Sequence, residues 1–554
     1  MMTMKKIALI AGMGWMALSV AHAQQDSTLN RTVVVENQYN PTIMDASKVN
    51  VLPKVEEPVV PKTRIDYSTT VRPLGAWNNQ TMAPMTREWE SDASYRGYVR
   101  AGYGSKGNVD MKAGYLWDIS KKDRLNVEAS LDGWNGKLAS MQGQDWESRL
   151  YNTKVGLDYR HSFKKVDALL GGSYRSQVFN YVYRQLSGFS DAELLSNKQH
   201  QTLGHAYIGL ASTDKDMLVQ FAAEAGMKSF GEKYPVLHNV DKNKETNLYL
   251  KGDVWKPSII GGRMGLKVNI DSYSYTAAGA EDWVAIEVNP YYSKQSDDWR
   301  IRIGAHLDRA GGESGKFYVS PDVNAEYIFS GSYVLFARAE GGRQLSSFYE
   351  LADVTPYFYA SSVQPTYMTL DAAVGLKASP MNGWWFLLSG GYQIRENDMC
   401  WGLGQGYPYW YARSIYGDTK VLYGTAELKY DYKDLLDFSL KGTYYNWKWE
   451  TADWFGGESN DDALLLKPEL EFMAQVGFKP MEGLRVNVGY DYVKRCNGLA
   501  GGPISNLHAG AEYVLLKNLN VFAQINNLLN KEYIDHNVYP TQKLNFLAGL
   551  SYRF

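Results

Sequence analysis

The stretch LYGTAELKYDYKDLLDFSLKGTY, residues 422–444, contains two segments in which apolar and polar side chains alternate on either side of a short polar turn. The positions on one face are Leu422, Gly424, Ala426, Leu428, Tyr430 and Tyr432, then Leu436, Phe438, Leu440, Gly442 and Tyr444. A period of two is typical of a β-strand with one apolar face. Charges such as Glu427, Lys429 and Lys441 then face away from the apolar side. The stretch predicts a hairpin with one face in lipid and the other in a polar lumen.

The same alternation extends from about Tyr95 to Phe554, for example in the paired segments 109–117 and 125–132 and in 484–492. About 22 such segments can be counted, an even number within the range of single-chain outer-membrane barrels. The connections alternate between short ones (164–165, 213–216, 330–332, 380–383, 480–483) and long ones (near 179–202, 228–245, 344–366, 396–418, 450–463). The pattern predicts an all-β, antiparallel up-and-down barrel with short periplasmic turns, long outside loops and both chain ends in the periplasm. A soluble propeller or sandwich is the alternative for many short strands.

Composition agrees with a barrel. After residue 23 no stretch approaches the roughly 20 apolar residues that a membrane helix needs, and the mean hydropathy of −0.38 is compatible with strands that expose only alternate residues to lipid. The 41 Tyr and 16 Trp suit interfacial girdles, and the 51 Gly suit turns. A net charge of −2 gives no reason to expect nucleic acid as a partner.

The first 88 residues differ from the rest. Lys5 and Lys6, an apolar run from Ile7 to Val20 and the sequence Ala21-His22-Ala23 predict a secretory signal peptide over residues 1–23. Residues 24–88 contain six of the 18 prolines and little alternation, which predicts a mostly irregular periplasmic or lumen-occluding segment. Residues 89–554 are predicted to form the barrel, and the chain is expected in the outer membrane of a Gram-negative cell.

In the last eleven residues, Leu544 to Phe554, every even-numbered position is apolar. The final residue, Phe554, is aromatic. Tyr552 and Phe554 resemble the signal by which the barrel-assembly machinery recognises its substrates. Just upstream, residues 519–533 read LNVFAQINNLLNKEY. This segment resembles the C-terminal signature of TonB-dependent receptors, whose penultimate strand ends in an Asn-Leu-x-Asp/Asn-Lys-x-Tyr motif.

That resemblance implies a plugged barrel, because TonB-dependent receptors carry an N-terminal plug domain of more than a hundred residues. The 24–88 segment is too short for one. The lumen of so wide a barrel would then be occluded by this segment, by outside loops folded inward or by a partner protein. The partners that the resemblance implies are outer-membrane lipid, the barrel-assembly machinery, and a surface lipoprotein, TonB or a periplasmic protein that supplies the plug.

Two outside loops are rich in aromatic residues. Rigid aromatics suit contact with sugars or a protein partner, and a self-packed loop or the aromatic girdle is the alternative. The candidate contact residues are Trp401, Tyr407, Tyr409, Trp410 and Tyr411 in one loop and Phe348 and Tyr349 in the other. Both cysteines fall on the predicted outer side, where a disulfide between Cys400 and Cys496 and two free thiols are both compatible with the sequence.

The eight histidines are scattered and form no HExxH, Gly-x-Ser-x-Gly or metal-ligand spacing, so neither an enzyme, a metal site nor a cofactor is expected. Three functions remain. The first is a component of nutrient uptake with its plug absent or supplied by a partner. The second is a structural, assembly or secretion-complex barrel that binds proteins, and the third is a passive channel.

Overall fold

In the computed structural model, the described residues are 95–139, 145–182, 198–234, 242–258, 261–276, 279–311, 315–329, 332–344, 347–359, 363–405, 410–451, 464, 466–496, 502–536 and 539–554. The predicted signal peptide (1–23) and the 24–88 segment lie outside them. The described residues form one closed sheet of 22 strands, a small ribbon and one short helix. This confirms the predicted fold class.

The barrel strands are β1 (Gly97–Gly104), β2 (Val109–Asp118), β3 (Asp123–Ala139), β4 (Asp145–Ser162), β5 (Val166–Asn180), β6 (Lys198–Ser212), β7 (Gln220–Glu232), β8 (Lys244–Pro257), β9 (Arg263–Thr276), β10 (Trp283–Gln295), β11 (Trp299–Gly311), β12 (Lys316–Phe329), β13 (Tyr333–Gln344), β14 (Thr366–Ala378), β15 (Trp384–Gln405), β16 (Trp410–Tyr432), β17 (Leu436–Trp449), β18 (Pro468–Met481), β19 (Leu484–Arg495), β20 (Ile504–Leu516), β21 (Leu519–Asn526) and β24 (Asn545–Arg553). The ribbon consists of β22 (Ile534–His536) and β23 (Tyr539–Pro540), and helix α1 spans Phe348–Val354.

Consecutive barrel strands pair antiparallel, and β24 pairs with both β21 and β1. The closing register aligns Tyr98 with Arg553 and Gly104 with Leu547. Closure gives every backbone group at the sheet edges a hydrogen-bond partner. A strand in a bilayer needs such partners because the hydrocarbon core contains no hydrogen-bonding groups. At the same end of the barrel, the amide of Gly97 donates to the carbonyl of Phe554 (2.9 Å).

The predicted hairpins have the expected register, since Trp117 faces Leu125 and Tyr432 faces Leu436. One predicted loop is wrong. Residues 396–418 belong almost entirely to β15 and β16, which pair as far as Gln405 and Trp410. The register shifts between Arg395 and Asp398, around Asn397 with its positive φ of 53°, and this bulge breaks the alternation in sequence that marks a continuous strand.

The two faces of the sheet differ in chemistry. Large apolar side chains are exposed on the outer face, as on β24, where Phe546, Leu550 and Tyr552 alternate with the buried Leu547 and Ser551. The inner face carries buried polar groups such as Asp110 and Asp371. The structure thus matches a barrel with a lipid-facing surface and a polar lumen. The one helix described, α1, is too short to cross a membrane.

The β1–β24 seam depends on paired glycines, because Gly102 faces Gly549 and a Cβ atom on Gly549 would approach the carbonyl oxygen of Ala101 to 2.1 Å. We expect Gly549→Val to destabilise the barrel by about 1–3 kcal/mol or more, as overpacking does in protein cores. The measurement is the loss of the heat-modifiable folded band on electrophoresis of outer membranes. Ala548→Val, a change on the adjacent exposed position, should leave that band in place; equal loss in both variants would contradict the role of the seam.

Candidate functional site

The segment of residues 347–359, which connects β13 to β14, folds inward at the long-loop end of the barrel. It begins with Ser347, whose hydroxyl oxygen accepts a hydrogen bond from the amide of Glu350 (3.1 Å) and so caps α1. The carboxylate of Glu245, on β8, accepts from the amides of Phe348 (2.5 Å) and Tyr349 (3.2 Å). A carboxylate from the barrel wall thus satisfies the first amides of a helix that belongs to a loop.

Further polar contacts attach this segment to strands β5 and β6. Backbone carbonyls of the segment accept from side-chain amides of the wall, and an ion pair adds to them. The contacts are Gln177 to the carbonyl of Ala352 (3.3 Å), Gln201 to the carbonyl of Pro356 (3.2 Å) and Arg175 with Asp353. Because β13 and β6 are seven strands apart, these contacts carry the segment from one part of the rim across the mouth to another.

Apolar packing closes the contact. Phe348 and Phe358 are fully buried and pack with Phe230 of β7, at ring-centroid distances of 5.7 Å each. Leu203 of β6 and Trp401 of β15 belong to the same cluster. We call this group, with Leu351, Ala352 and Val363, the mouth cluster. It joins strands that are distant in the barrel, so the inward position of the segment is fixed from both sides.

A second aromatic group meets the same segment. Tyr357 stacks on Tyr539 of the ribbon β22–β23, with ring centroids 3.7 Å apart and planes 8° from parallel. Trp146 and Phe179, from β4 and β5, pack edge-on against Tyr357 at 6.4 and 5.5 Å. The 347–359 segment therefore contacts the barrel wall and a second loop region at once.

Part of the lumen wall carries a series of buried ion pairs along β9–β14. The pairs are Arg302–Asp322 (2.7 Å), Arg338–Asp371 (3.1 Å), Arg343–Asp271 (3.3 Å) and Lys377–Glu326 (3.0 Å). Tyr423 of β16 donates to Asp371 (2.7 Å) and so extends the series. This part of the wall thus carries charged groups that neutralise one another in pairs.

The predicted contact residues are distributed as follows. Phe348 and Trp401 come together in the mouth cluster, and Tyr349 lies beside Phe348 in α1. Trp410 and Tyr411 belong to β16, opposite Gln405 and Gly404, rather than to a loop. Tyr407 and Tyr409 lie outside the described residues. The packing of Phe348 and Trp401 matches the alternative of a self-packed loop, and contact of the aromatic residues with a ligand or partner stays a prediction.

The cysteines do not meet. Cys400 is a free thiol, fully buried in β15, and Cys496 is exposed just after β19. Asp398, two residues before Cys400 on β15, forms an ion pair with Lys467 (3.0 Å). The two cysteines are not joined in the structure.

Sequence reasoning missed Glu245, Gln177, Gln201 and Tyr539 as parts of this site. Each is an ordinary polar or aromatic residue near the end of a strand or in a loop, and only the fold brings them to the 347–359 segment. The Ser347-Phe348-Tyr349-Glu350 sequence was the one available signal, since Ser followed three residues later by Glu marks a helix start. Among the described residues, no group of three or more His, Cys, Asp or Glu is placed to hold a metal ion.

No protein-family model matches the sequence, and a search of curated proteins finds no match. Solved structures do match. They include the FrpB iron transporter from Neisseria meningitidis (TM-score 0.65, 10% identity, 84% of this chain and 82% of that chain) and the ferric-catecholate import receptor Fiu from E. coli (0.59, 11%, 83% and 82%). The copper transporter OprC matches with a TM-score of 0.60, 12% identity, 83% of this chain and 80% of that chain.

At these identities the likeness shows the fold. The resemblance to TonB-dependent receptors that the sequence indicated is therefore confirmed for the barrel. The neighbours are named as transporters and a receptor, and what they share with this chain is the barrel fold.

Helix α1 contains a carboxyl group whose ionisation opposes docking. Glu350 lies near three other carboxylates, Glu245, Asp271 and Asp353, and one cation, Lys228, and burial raises its pKa to about 8. In the docked segment Glu350 thus retains a proton up to about pH 8, whereas in an undocked segment it loses the proton near the ordinary glutamate pKa of about 4.3. Docking is accordingly favoured at low pH and weakens as pH rises toward 8, by up to about 1.4 kcal/mol per pH unit.

We expect amide-exchange protection of residues 347–359, corrected for intrinsic rates, to fall between pH 5 and pH 8. Glu350→Gln should reduce that dependence, because the amide carries no charge at either pH; the remainder comes from Glu245, whose pKa burial raises to about 7. Asp353→Asn, a matched change in the same helix, should lower protection at all pH values and retain most of the slope, because burial is the main cause of the raised pKa of Glu350. A slope that persists unchanged in Glu350→Gln would show that another group is responsible.

Proposed function

We propose that this protein is a component of nutrient uptake across the outer membrane and that the 347–359 segment restricts its outer mouth. One observation carries the proposal: a loop segment that follows β13 and has its own helix is attached to the wall five to eight strands away, at Glu245, Gln201 and Gln177. A passive channel has no need of such an attachment. A polar lumen wall below an anchored segment suits a solute that is admitted conditionally.

The attachment is of a kind that can be released. Its polar part consists of individual hydrogen bonds, and those to a charged group contribute about 1.5–3 kcal/mol each. The apolar part comes from Phe348 and Phe358, whose burial in the mouth cluster adds an amount of similar order. A substrate that binds better to the barrel with the segment displaced would shift the population by its difference in affinity.

The partners follow from this proposal. With the plug absent or supplied by another protein, energised uptake requires TonB or a plug-supplying periplasmic protein, and capture at the surface suits a lipoprotein. The fold neighbours that are named as iron and copper importers support uptake as the general class. The nature of the nutrient is left open, because ion pairs along the wall accommodate many polar solutes.

The attachment is tested most directly at Glu245. We expect Glu245→Ala to raise the open probability of the reconstituted barrel in planar bilayers at least about tenfold, since two charge-assisted hydrogen bonds to Phe348 and Tyr349 are lost. Deleting residues 348–358 should give the same open state permanently.

Glu427→Ala is the matched control, because Glu427 pairs with Lys429 on β16 and has no described contact with the segment. It should leave the open probability unchanged. If Glu245→Ala and the deletion both behave like the wild type, the segment does not restrict the mouth and the proposal is wrong.

A barrel for uptake and a scaffold barrel should differ in the proteins that stay bound to them during purification. Purification in mild detergent without cross-linker, followed by mass identification, should recover a surface lipoprotein, TonB or a periplasmic plug protein. Recovery of secretion or assembly subunits in their place would favour the scaffold.

A further inference from the structure

A groove of about 340 Å³ lies at the long-loop end of β9, β10 and β11. Its lining combines hydroxyl groups, one guanidinium, one carboxylate and apolar side chains: Ser272, Tyr273, Ser274, Asp282, Trp283, Val284, Ile286, Arg309 and Gly311. Val284 and Ile286 are 46% and 44% exposed, and by strand alternation they lie on the lipid-facing side of the barrel with Ser272, which is in register with Val284. The groove therefore opens toward lipid and not toward the lumen.

The depth of Arg309 can be derived from the strand. Trp299, at the short-turn end of β11, is exposed and stacks on Tyr327 (4.4 Å), as expected for a residue of the interfacial girdle. Arg309 lies ten residues further along the same face of the same strand. With a rise of about 3.3 Å per residue and a tilt of about 40°, this separation spans roughly 25 Å, which is the height of the apolar band.

Arg309 is thus at the outer boundary of the hydrocarbon. The outer face of β9 changes from apolar to polar at the same level. It carries Met264 and Leu266 near the short-turn end and Ser272 and Ser274 near the long-loop end. On β12, Phe317 is in register with Arg309 and Val319 is in register with Leu307, below it. These two side chains are 65% and 55% exposed and form an apolar surface next to the groove.

The groove lining carries one guanidinium, that of Arg309, and one carboxylate, that of Asp282. Among the described residues no ion pair or side-chain hydrogen bond involves Arg309. The nearby acid, Asp282, is already engaged, since one of its oxygens accepts from the amide of Tyr275 (2.8 Å) and the other from the hydroxyl of Ser274 (3.2 Å). The guanidinium and the Ser272 hydroxyl remain as donors at a lipid boundary.

We propose that this groove binds the phosphate of an outer-leaflet lipid, with Arg309 as the charged donor, Ser272 as a second donor and the lipid chains along Ile286, Phe317 and Val319. A planar guanidinium is well matched to phosphate oxygens. The acyl chains distinguish this occupant from free phosphate, because the apolar surface continues directly below the charged group. The site is independent of what passes through the lumen.

The test is native mass spectrometry of the purified full-length barrel with added lipid. Wild type should retain one molecule of bis-phosphorylated lipid A, and Arg309→Ala should bind it about fivefold more weakly, the effect of one basic residue near an anionic lipid surface. Arg309→Lys should retain most of the affinity. Arg263→Ala removes an exposed arginine at the short-turn end of the same β9–β11 region and should bind as wild type.

Two further probes separate the sources of the phosphate. Chemically dephosphorylated lipid A should bind wild type as weakly as phosphorylated lipid A binds Arg309→Ala, and inorganic phosphate alone should not compete at millimolar concentration. Equal retention by wild type and Arg309→Ala, an equal loss in Arg263→Ala, or full competition by inorganic phosphate would each overturn the proposal. The folded band on electrophoresis verifies that each variant forms the barrel.

Discussion

The requirement that every backbone amide and carbonyl in lipid have a partner determines this structure. The chain meets it by closing 22 strands on themselves, with β1 and β24 joined in register. Side-chain alternation follows from closure, because one face of each strand is then committed to lipid and the other to the lumen. The close approach of Gly102 and Gly549 shows how tightly the closing pair is built.

The barrel could be predicted from the sequence because its rule is local. A period of two and a turn signal can be recognised within ten residues, so the hairpins at 109–132 and 422–444 are placed with the correct register. The extension of β15 and β16 could not be recognised, since a bulge around Asn397 interrupts the alternation. A bulge adds a residue to one strand, so the apolar positions before and after it no longer share one alternation. The strand is then mistaken for a loop.

The site depends on contacts that are far apart in sequence, and for this reason it was predicted only in part. Phe348, Tyr349 and Trp401 were selected as aromatic residues in loops, yet nothing in their composition indicates that Phe348 packs against Phe230 or that Glu245 holds the helix. The alternation places Glu245 on the inner face of β8, and only the inward path of the 347–359 segment gives that position a partner. The 347–359 segment folds inward, and occlusion of the lumen by it, by residues 24–88 or by a partner stays a prediction.

Helix α1 has seven residues, and a helix of this length does not persist in water without outside support. Its first amides are satisfied by a carboxylate of another element, so leaving the wall and losing the helix are one event. On the proposal that the segment restricts the mouth, its opening is a local melting transition and not the swing of a rigid flap. Melting releases chain entropy, so permeability should rise steeply with temperature, and the closed state should be least leaky in the cold.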